Sequence, residues 1–432
     1  MRSHRWRAVV VATVALLATR RAAAQKSENV EASSPPTASA QAGEGGFELR
    51  SAGEQPDYRV RLGALLQADS RLYFDDRTKD NILLRRVRPI LTGTVLGFLD
   101  FTLTPDFGGG QATLVDAYLN ARVFSWLRLR VGKFKPPIGL ERLQGDADLP
   151  LPERALTSNL TPSRDLGVQV WGEVAEGIVT YAAALLDGAP DNASIDQDVG
   201  GSKDVAGRLF VQPFKRAPAL GTLGFGIAGT TGQRNGGPKA TSLVGLRTTG
   251  QTALFTYAAP ATDPTGGNTV FASGRHSRFD PQVHYYRGGL GVLGEVVWSQ
   301  QEVHKAGEIA VLTQRAWHAT ISYVIGGTNG YKGATPEERW DPAHGHLGAL
   351  EIAARYGDIR FDDGAFPLFA DRPVSARGAR NFGFSANWIL SRQARVALGY
   401  ERTRFAGGAG KEGAIENRPT ENFVLTRAQL NF

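Results

Sequence analysis

The chain has no cysteine among its 432 residues, so its fold is held without disulfides. Beyond residue 24 it has no apolar run near 18 residues, and its mean hydropathy of −0.23 excludes a bundle of membrane-spanning helices. That absence leaves a membrane β-barrel open, because barrel strands conceal apolar residues by alternating them with polar ones. Histidines are few, and the one close pair, "HGH" at 344–346, has no third ligand near it, which disfavours zinc. Neither a G-x-S-x-G elbow nor a phosphate-cradling glycine loop ahead of a helix occurs. No cofactor or catalytic group is expected, although a catalytic set assembled from distant residues of a barrel would leave no such signature.

The basic balance is also smaller than it looks. "MRSHRWR" followed by "AVVVATVALLAT" has the charge and length of an export signal, with Ala22-Ala23-Ala24 as the cleavage site. Five arginines and no acid leave with residues 1–24, so the formal charge falls from +7 to +2. With no clustered basic helix either, nucleic-acid binding is not expected. Any cation that matters must act locally.

Residues 25–56 are rich in Ser, Ala, Gly, Pro and Glu and read as a flexible lead-in. From 57 to 432 runs of strand length follow one another with turn residues between, and helical periodicity is hard to find. In "YRVRLGALLQADSRLYF" one parity carries Tyr58, Val60, Leu62, Leu66 and Leu72, and the other carries Arg59, Arg61, Gln67, Asp69 and Arg71. A strand this long with one apolar and one charged face is what a barrel wall requires. "TLVDAYLNARVF" repeats the pattern, with Asp116 and Asn120 on the polar parity, and returns through a tight hairpin as "LRLRV". Trp126, Trp171, Trp298, Trp317 and Trp388 lie where girdle residues would, and the last strand ends on Phe432. The expected class is all-β, either a transmembrane antiparallel barrel of the outer membrane or a secreted β-sandwich used in binding or adhesion.

One stretch conflicts with simple alternation. In "NILLRRVRPIL", residues 81–91, Arg86 and Arg88 share a parity and Arg85 has the other, so a regular strand sends Arg85 toward lipid. A lipid-facing arginine costs roughly 2–4 kcal/mol at the bilayer midplane. The stretch therefore predicts either a β-bulge that turns Arg85 and Arg86 to the same side or a place for Arg85 at the membrane rim.

The block "VGKFKPPIGLERLQGDADLPLPERALTSNLTPSRDLGVQV", taken with "LGALLQADSRLYF" and "LLRRVRPILTG", resembles the phosphate-selective porin O/P family, and the likeness runs through most of the mature chain. It implies a 16-stranded outer-membrane barrel, a homotrimer of separate pores in outer-membrane lipid, an inward-folded loop, and cations that guide small anions such as phosphate. Arg85 and Arg86 fall on the paired arginines that line the family's anion path, and Arg142 on a basic position of its inward loop. Leu65 stands where phosphate-specific members carry an arginine, and Asp116 lies one place from the expected constriction acid. The loop candidate, residues 135–165, is rich in proline, which precludes a regular central strand. Arg59, Arg61 and Arg71, Arg85, Arg86 and Arg88, Lys133, Lys135 and Arg142, with Asp116 as counter-acid, form the expected anion path. Residues 232–249 and 257–282 read as exposed loops with a short strand between them.

Overall fold

The computed structural model describes residues 38–43, 45–51, 57–75, 78–197, 201–260, 263, 266–408 and 417–432. The expected export signal lies outside the described residues. Sixteen strands make one closed wall: β1 Arg59–Tyr73, β2 Asn81–Val95, β3 Leu99–Asp106, β4 Thr113–Arg122, β5 Arg128–Phe134, β6 Asp165–Val174, β7 Val179–Leu186, β8 Lys203–Val211, β9 Gly224–Asn235, β10 Phe271–Arg287, β11 Leu290–Lys305, β12 Glu308–Ile325, β13 Ala349–Arg360, β14 Gly378–Ile389, β15 Ala394–Ala406 and β16 Glu421–Asn431. Each runs antiparallel to the next, and β16 pairs back on β1 from Asn431 opposite Leu65 to Phe423 opposite Tyr73. Closure leaves no sheet edge along the wall.

The seam extends past β16. Ala64 and Phe432 exchange backbone hydrogen bonds of 2.9 and 3.0 Å. Below them a hairpin, Ser39–Gly43 with Gly46–Arg50, pairs with the first residues of β1, Arg50 opposite Arg59 and Phe47 opposite Leu62. Part of the expected lead-in is thus strand, with the ring of Phe47 edge-on to that of Phe432 at 6.4 Å.

Alternation decides which side chains face outward. On β1, Leu62, Leu66 and Leu72 are exposed while Gln67, Asp69 and Arg71 are buried inside. Trp126, Trp298, Trp317 and Trp388 face outward, as expected of girdle residues. Trp171 does not. Its indole N–H donates to Asn120 at 2.9 Å, and the guanidinium of Arg128 lies 4.7 Å from its ring, both inside the wall.

β9 and β10 reach into the two stretches expected to be loops. β9 runs on to Asn235 and β10 begins at Phe271, so the hidden strand is much of the stretch itself. The alternation there is of polar with polar: His276, Arg278, Asp280 and Gln282 are buried inside, whereas Arg275 and Ser277 share the outward face with Phe279. A wall that rises beyond the bilayer meets water on both sides and loses its apolar parity.

The lumen is not an empty pipe. An apolar cluster lines its upper half against β11 to β15, built from the connections 236–270 and 361–377 with Leu156 and Leu160 of the inward loop. Phe255 lies at its centre, 4.5 Å from Phe361 and 6.1 Å from Phe366. From the opposite end the connection 326–348 rises into the barrel, where the Tyr331 hydroxyl donates to Leu140 O at 2.6 Å and Tyr331 O accepts from Gln144 at 2.9 Å. Open space remains on the side of β2 to β6.

Candidate functional site

β2 carries the feature that its sequence predicts. Gln67 of β1 pairs with Arg86, and the next residue, Ala68, pairs with Leu84, so Arg85 is the extra residue of a bulge. Before the bulge Ile82 and Leu84 face outward, 85% and 60% exposed; after it Arg86 is buried inside. Arg85 turns inward as well, donating to Glu153 from Nε at 3.0 Å and from Nη2 at 3.2 Å. One inserted residue thus presents three arginines to the lumen without placing any in lipid.

The inward loop spans the connection from β5 to β6. Gly132, at φ +127°, lies against β4 so closely that a Cβ would sit 2.2 Å from Ala117 O, and only glycine allows that approach. The chain then turns into the barrel, where Ile138, Leu140, Leu149, Leu151, Leu156 and Leu160 are buried. The Gly139 N–H donates to Asp280 at 2.7 Å, the Leu140 N–H donates to Glu295, and Thr157 donates to Glu295 at 3.0 Å. Pro150 O accepts from Ser385 and Asn387, both at 2.7 Å. Residues 135–165 are therefore a lumen loop.

Three loop carboxylates lock onto arginines. Asp146 accepts from Arg154 at 2.8 Å, from Arg86 at 3.4 Å and from Arg88, which also donates to Asp106 at 2.7 Å. Glu153 accepts from Arg71 at 2.7 Å and Arg427 at 3.1 Å in addition to Arg85. Glu141 accepts from Arg355 at 3.3 Å, and Arg355 donates to Glu401 at 2.8 Å. Burial raises the pKa of Glu153, but Arg85, Arg71 and Arg427 outweigh it and hold the carboxyl well below the usual range. At Asp146, burial is likewise overcome by Arg86, Arg154 and Arg88. Both stay ionised at neutral pH.

Arg142 is different, because no carboxylate pairs with it among the described residues. It donates to Ser158 O, to Asn192 at 3.1 Å and to Thr161 at 3.4 Å. Burial, then Arg154 and Arg164, push its pKa down to about 9, which still leaves it charged at neutral pH. Lys135 donates to the carbonyls of Leu143 and Gln144; burial, then Arg154 and Arg164, drive its pKa well down. Lys133 holds Leu114 O and Asp196.

A cavity of about 370 Å³ lies between this loop and the wall, lined by Arg85, Arg86, Arg88, Lys133, Arg142, Arg154, Arg164 and Arg247, with Asp106, Asp146, Glu153 and Asp196 as its acids. The structure thus gathers five of the expected path residues at one cavity. Arg71 lies just behind it, on Glu153, and Asp116 accepts from Arg164 at 2.7 and 3.3 Å. Arg59 and Arg61 are not in this group. They sit at the far end of β1, where Arg59 reaches Thr94 at 3.5 Å and Arg61 reaches Gly45 O. Glu153, Arg154, Arg164 and Arg427 are not among the expected site residues, and nothing in the local sequence ties Glu153 to the arginines of β1, β2 and β16 that it holds. Among the described residues no group of three or more His, Cys, Asp or Glu could hold a metal ion.

A closed sixteen-stranded barrel with an outward apolar face, a charged lumen and an inward loop defines an outer-membrane porin. The model of the family described as phosphate-selective porin O and P matches residues 60–432, and the chain belongs to that family. Its place is therefore the bacterial outer membrane, and its fold is that of a channel. Solved structures of the same fold include the anion-selective porin from Comamonas acidovorans, at TM-score 0.54 and 10% identity over 87% of this chain and 100% of that one. The trimer form of OmpT from Vibrio cholerae matches at TM-score 0.52 and 11% identity, over 87% and 99%. DcaP of Acinetobacter baumannii matches at TM-score 0.52 and 10% identity, over 87% and 98%. No curated protein matches the sequence.

Proposed function

We propose that this porin passes small anions in preference to cations, by passive diffusion past the arginines of β2 and the inward loop. The observation that carries the reading is the cavity beside them, with eight cationic and four acidic side chains. An anion entering it sheds part of its water, and each fixed cation offsets that loss by about 1 kcal/mol at ~4 Å in bulk-like water, several-fold more where solvent is restricted. An arginine fork can hold two oxygens of an oxyanion such as phosphate at once. Sharing Arg85, Arg86 and Arg88 with Glu153 and Asp146 keeps each site moderate, and moderate sites in series release what they bind.

General anion preference is favoured over phosphate specificity, because Leu65 is a buried apolar side chain where the family resemblance implies an arginine. Arg59 and Arg61 serve as the cationic exit at the opposite end. A homotrimer fits the short strands β3 to β7, seven to ten residues each, as the side covered by neighbouring copies. In planar bilayers under a potassium chloride gradient the wild-type channel is expected to give a reversal potential of anion-selective sign; the cation-selective sign overturns the proposal. Block of chloride current by phosphate reads the phosphate question separately.

A further inference from the structure

The outward face of β12 to β15 changes character abruptly along the strands. β15 presents Leu398 and Tyr400 outward and then Arg402 and Arg404, while β14 presents Phe384 and Phe382 and then Arg380. The register aligns these changes: Tyr356 lies opposite Phe382, Phe382 opposite Arg402, and Arg380 opposite both Asp358 and Arg404. Arg315 of β12 lies opposite Arg360 of β13. On β14 and β15 an arginine thus follows one outward position after an aromatic ring, Arg380 after Phe382 and Arg402 after Tyr400, and on β13 Arg360 follows Tyr356 by two outward positions. From outward Trp388 to Arg380 is a rise of about 20 Å for eight residues at ~3.3 Å on a strand tilted by ~40°, close to the ~25 Å height of a barrel's apolar band.

Arg360, Arg377, Arg380, Arg402 and Arg404 border a hollow of about 780 Å³ on the outside of the wall. Its carboxylates are already committed. Asp358 accepts from Arg360 at 3.2 Å and Arg380 at 3.4 Å, and Asp363 pairs with Arg377 at 2.7 Å. Arg360 and Arg380 share one acid and remain 51% and 62% exposed. Arg315, Arg402 and Arg404 are exposed and have no carboxylate partner among the described residues. Permeation makes no demand for cations here, since they face away from the lumen.

Short turns such as 390–393 mark the periplasmic end of the barrel and the long connections 236–270 and 361–377 the external end. We propose that this hollow, at the external end, binds the phosphorylated sugar headgroup of an outer-leaflet glycolipid of the lipid A type. Its phosphates are held by Arg402, Arg404 and the Arg360–Arg380 pair, and its acyl chains lie on Tyr356, Phe382 and Leu398 below. The charge is complementary, the arginine fork matches phosphate oxygens, and the rings mark the level at which headgroup meets hydrocarbon. Basic sites at that level recognise lipid headgroups through the same chemistry. The site stands apart from the anion path, so either can fail alone.

The test uses the mature protein purified from outer membranes and folded in detergent, with diphosphoryl lipid A as probe and native mass spectrometry as readout. Wild type is expected to retain diphosphoryl lipid A and to bind the dephosphorylated lipid with the same acyl chains at least about tenfold more weakly. Arg402→Gln/Arg404→Gln, checked for folding by heat-modifiable migration, is expected to weaken diphosphoryl binding by roughly thirtyfold and to leave the reversal potential unchanged. Equal binding of the two lipids to wild type overturns the proposal without recourse to any variant. So does equal binding by wild type and variant, or full displacement of the lipid by excess inorganic phosphate, which would make free phosphate the occupant.

Discussion

Deleting Arg85 is the sharpest perturbation of the arginine-bearing strand, because the bulge makes an unusual demand on register. A one-residue slip in a barrel strand ordinarily sends every side chain on one side of the change to the wrong face. Here the inserted residue is already unpaired: Leu84 faces Ala68 and Arg86 faces Gln67. Removing Arg85 lets the two halves of β2 join as a regular strand with Ile82 and Leu84 still outward and Arg86 and Arg88 still inward. The loss is the two-pronged contact with Glu153, at 3.0 and 3.2 Å, while Glu153 keeps Arg71 at 2.7 Å and Arg427 at 3.1 Å. A charge-assisted contact of this kind is worth about 1.5–3 kcal/mol. Deleting Ile90, in the regular part of the strand, has no such escape. Heat-modifiable migration after refolding is expected to show that the Arg85 deletion assembles, unfolding at a somewhat lower temperature than wild type, and that the Ile90 deletion does not assemble. Failure of both deletions alike, or assembly of both, would refute the reasoning.

Two further predictions follow from the loop anchors. Glu153→Gln leaves Arg85 without a carboxylate and Arg71 and Arg427 with Asp69 alone, so the folded band is expected to be lost at lower temperature, by an amount reflecting about 3–5 kcal/mol, and the reversal potential to move further in the anion direction. For pH, the folded-state pKa values of Asp146 and Glu153 lie below their unfolded ones, so their stabilisation is present above about pH 4.5 and is lost as pH falls toward the depressed values. The difference in unfolding temperature between wild type and Glu153→Gln is expected to stay constant from neutral pH to about 5 and to shrink only in strong acid; a difference that collapses near pH 6 would contradict this.

How much was legible in the sequence depends on what alternation can carry. The long two-faced strands were readable because one face meets hydrocarbon, and the bulge at Arg85 was readable because three arginines cannot obey that alternation together. Parity gives a side chain's face but not its height, which is why Arg59 and Arg61 share the lumen face of Arg71 yet sit at the other end of β1. Trp171 satisfied a composition rule for girdles, while its partners, Asn120 and Arg128, lie inside. The apolar cluster around Phe255 was hidden because its residues come from connections with no strand period, and β10 because polar residues occupy both its faces above the bilayer. The anchors Glu153 and Asp146 are acids in a proline-rich loop, and nothing local ties them to arginines on β1, β2 and β16.

Whether the lumen arginines set the sign of selectivity is tested most directly by the reversal potential under a potassium chloride gradient, recorded for wild type and for Arg86→Gln/Arg88→Gln. Wild type is expected to reverse at the anion-selective sign and the double variant to move toward zero or beyond it. A cation-selective wild type, or a double variant indistinguishable from it, would contradict the assignment of these arginines to an anion path.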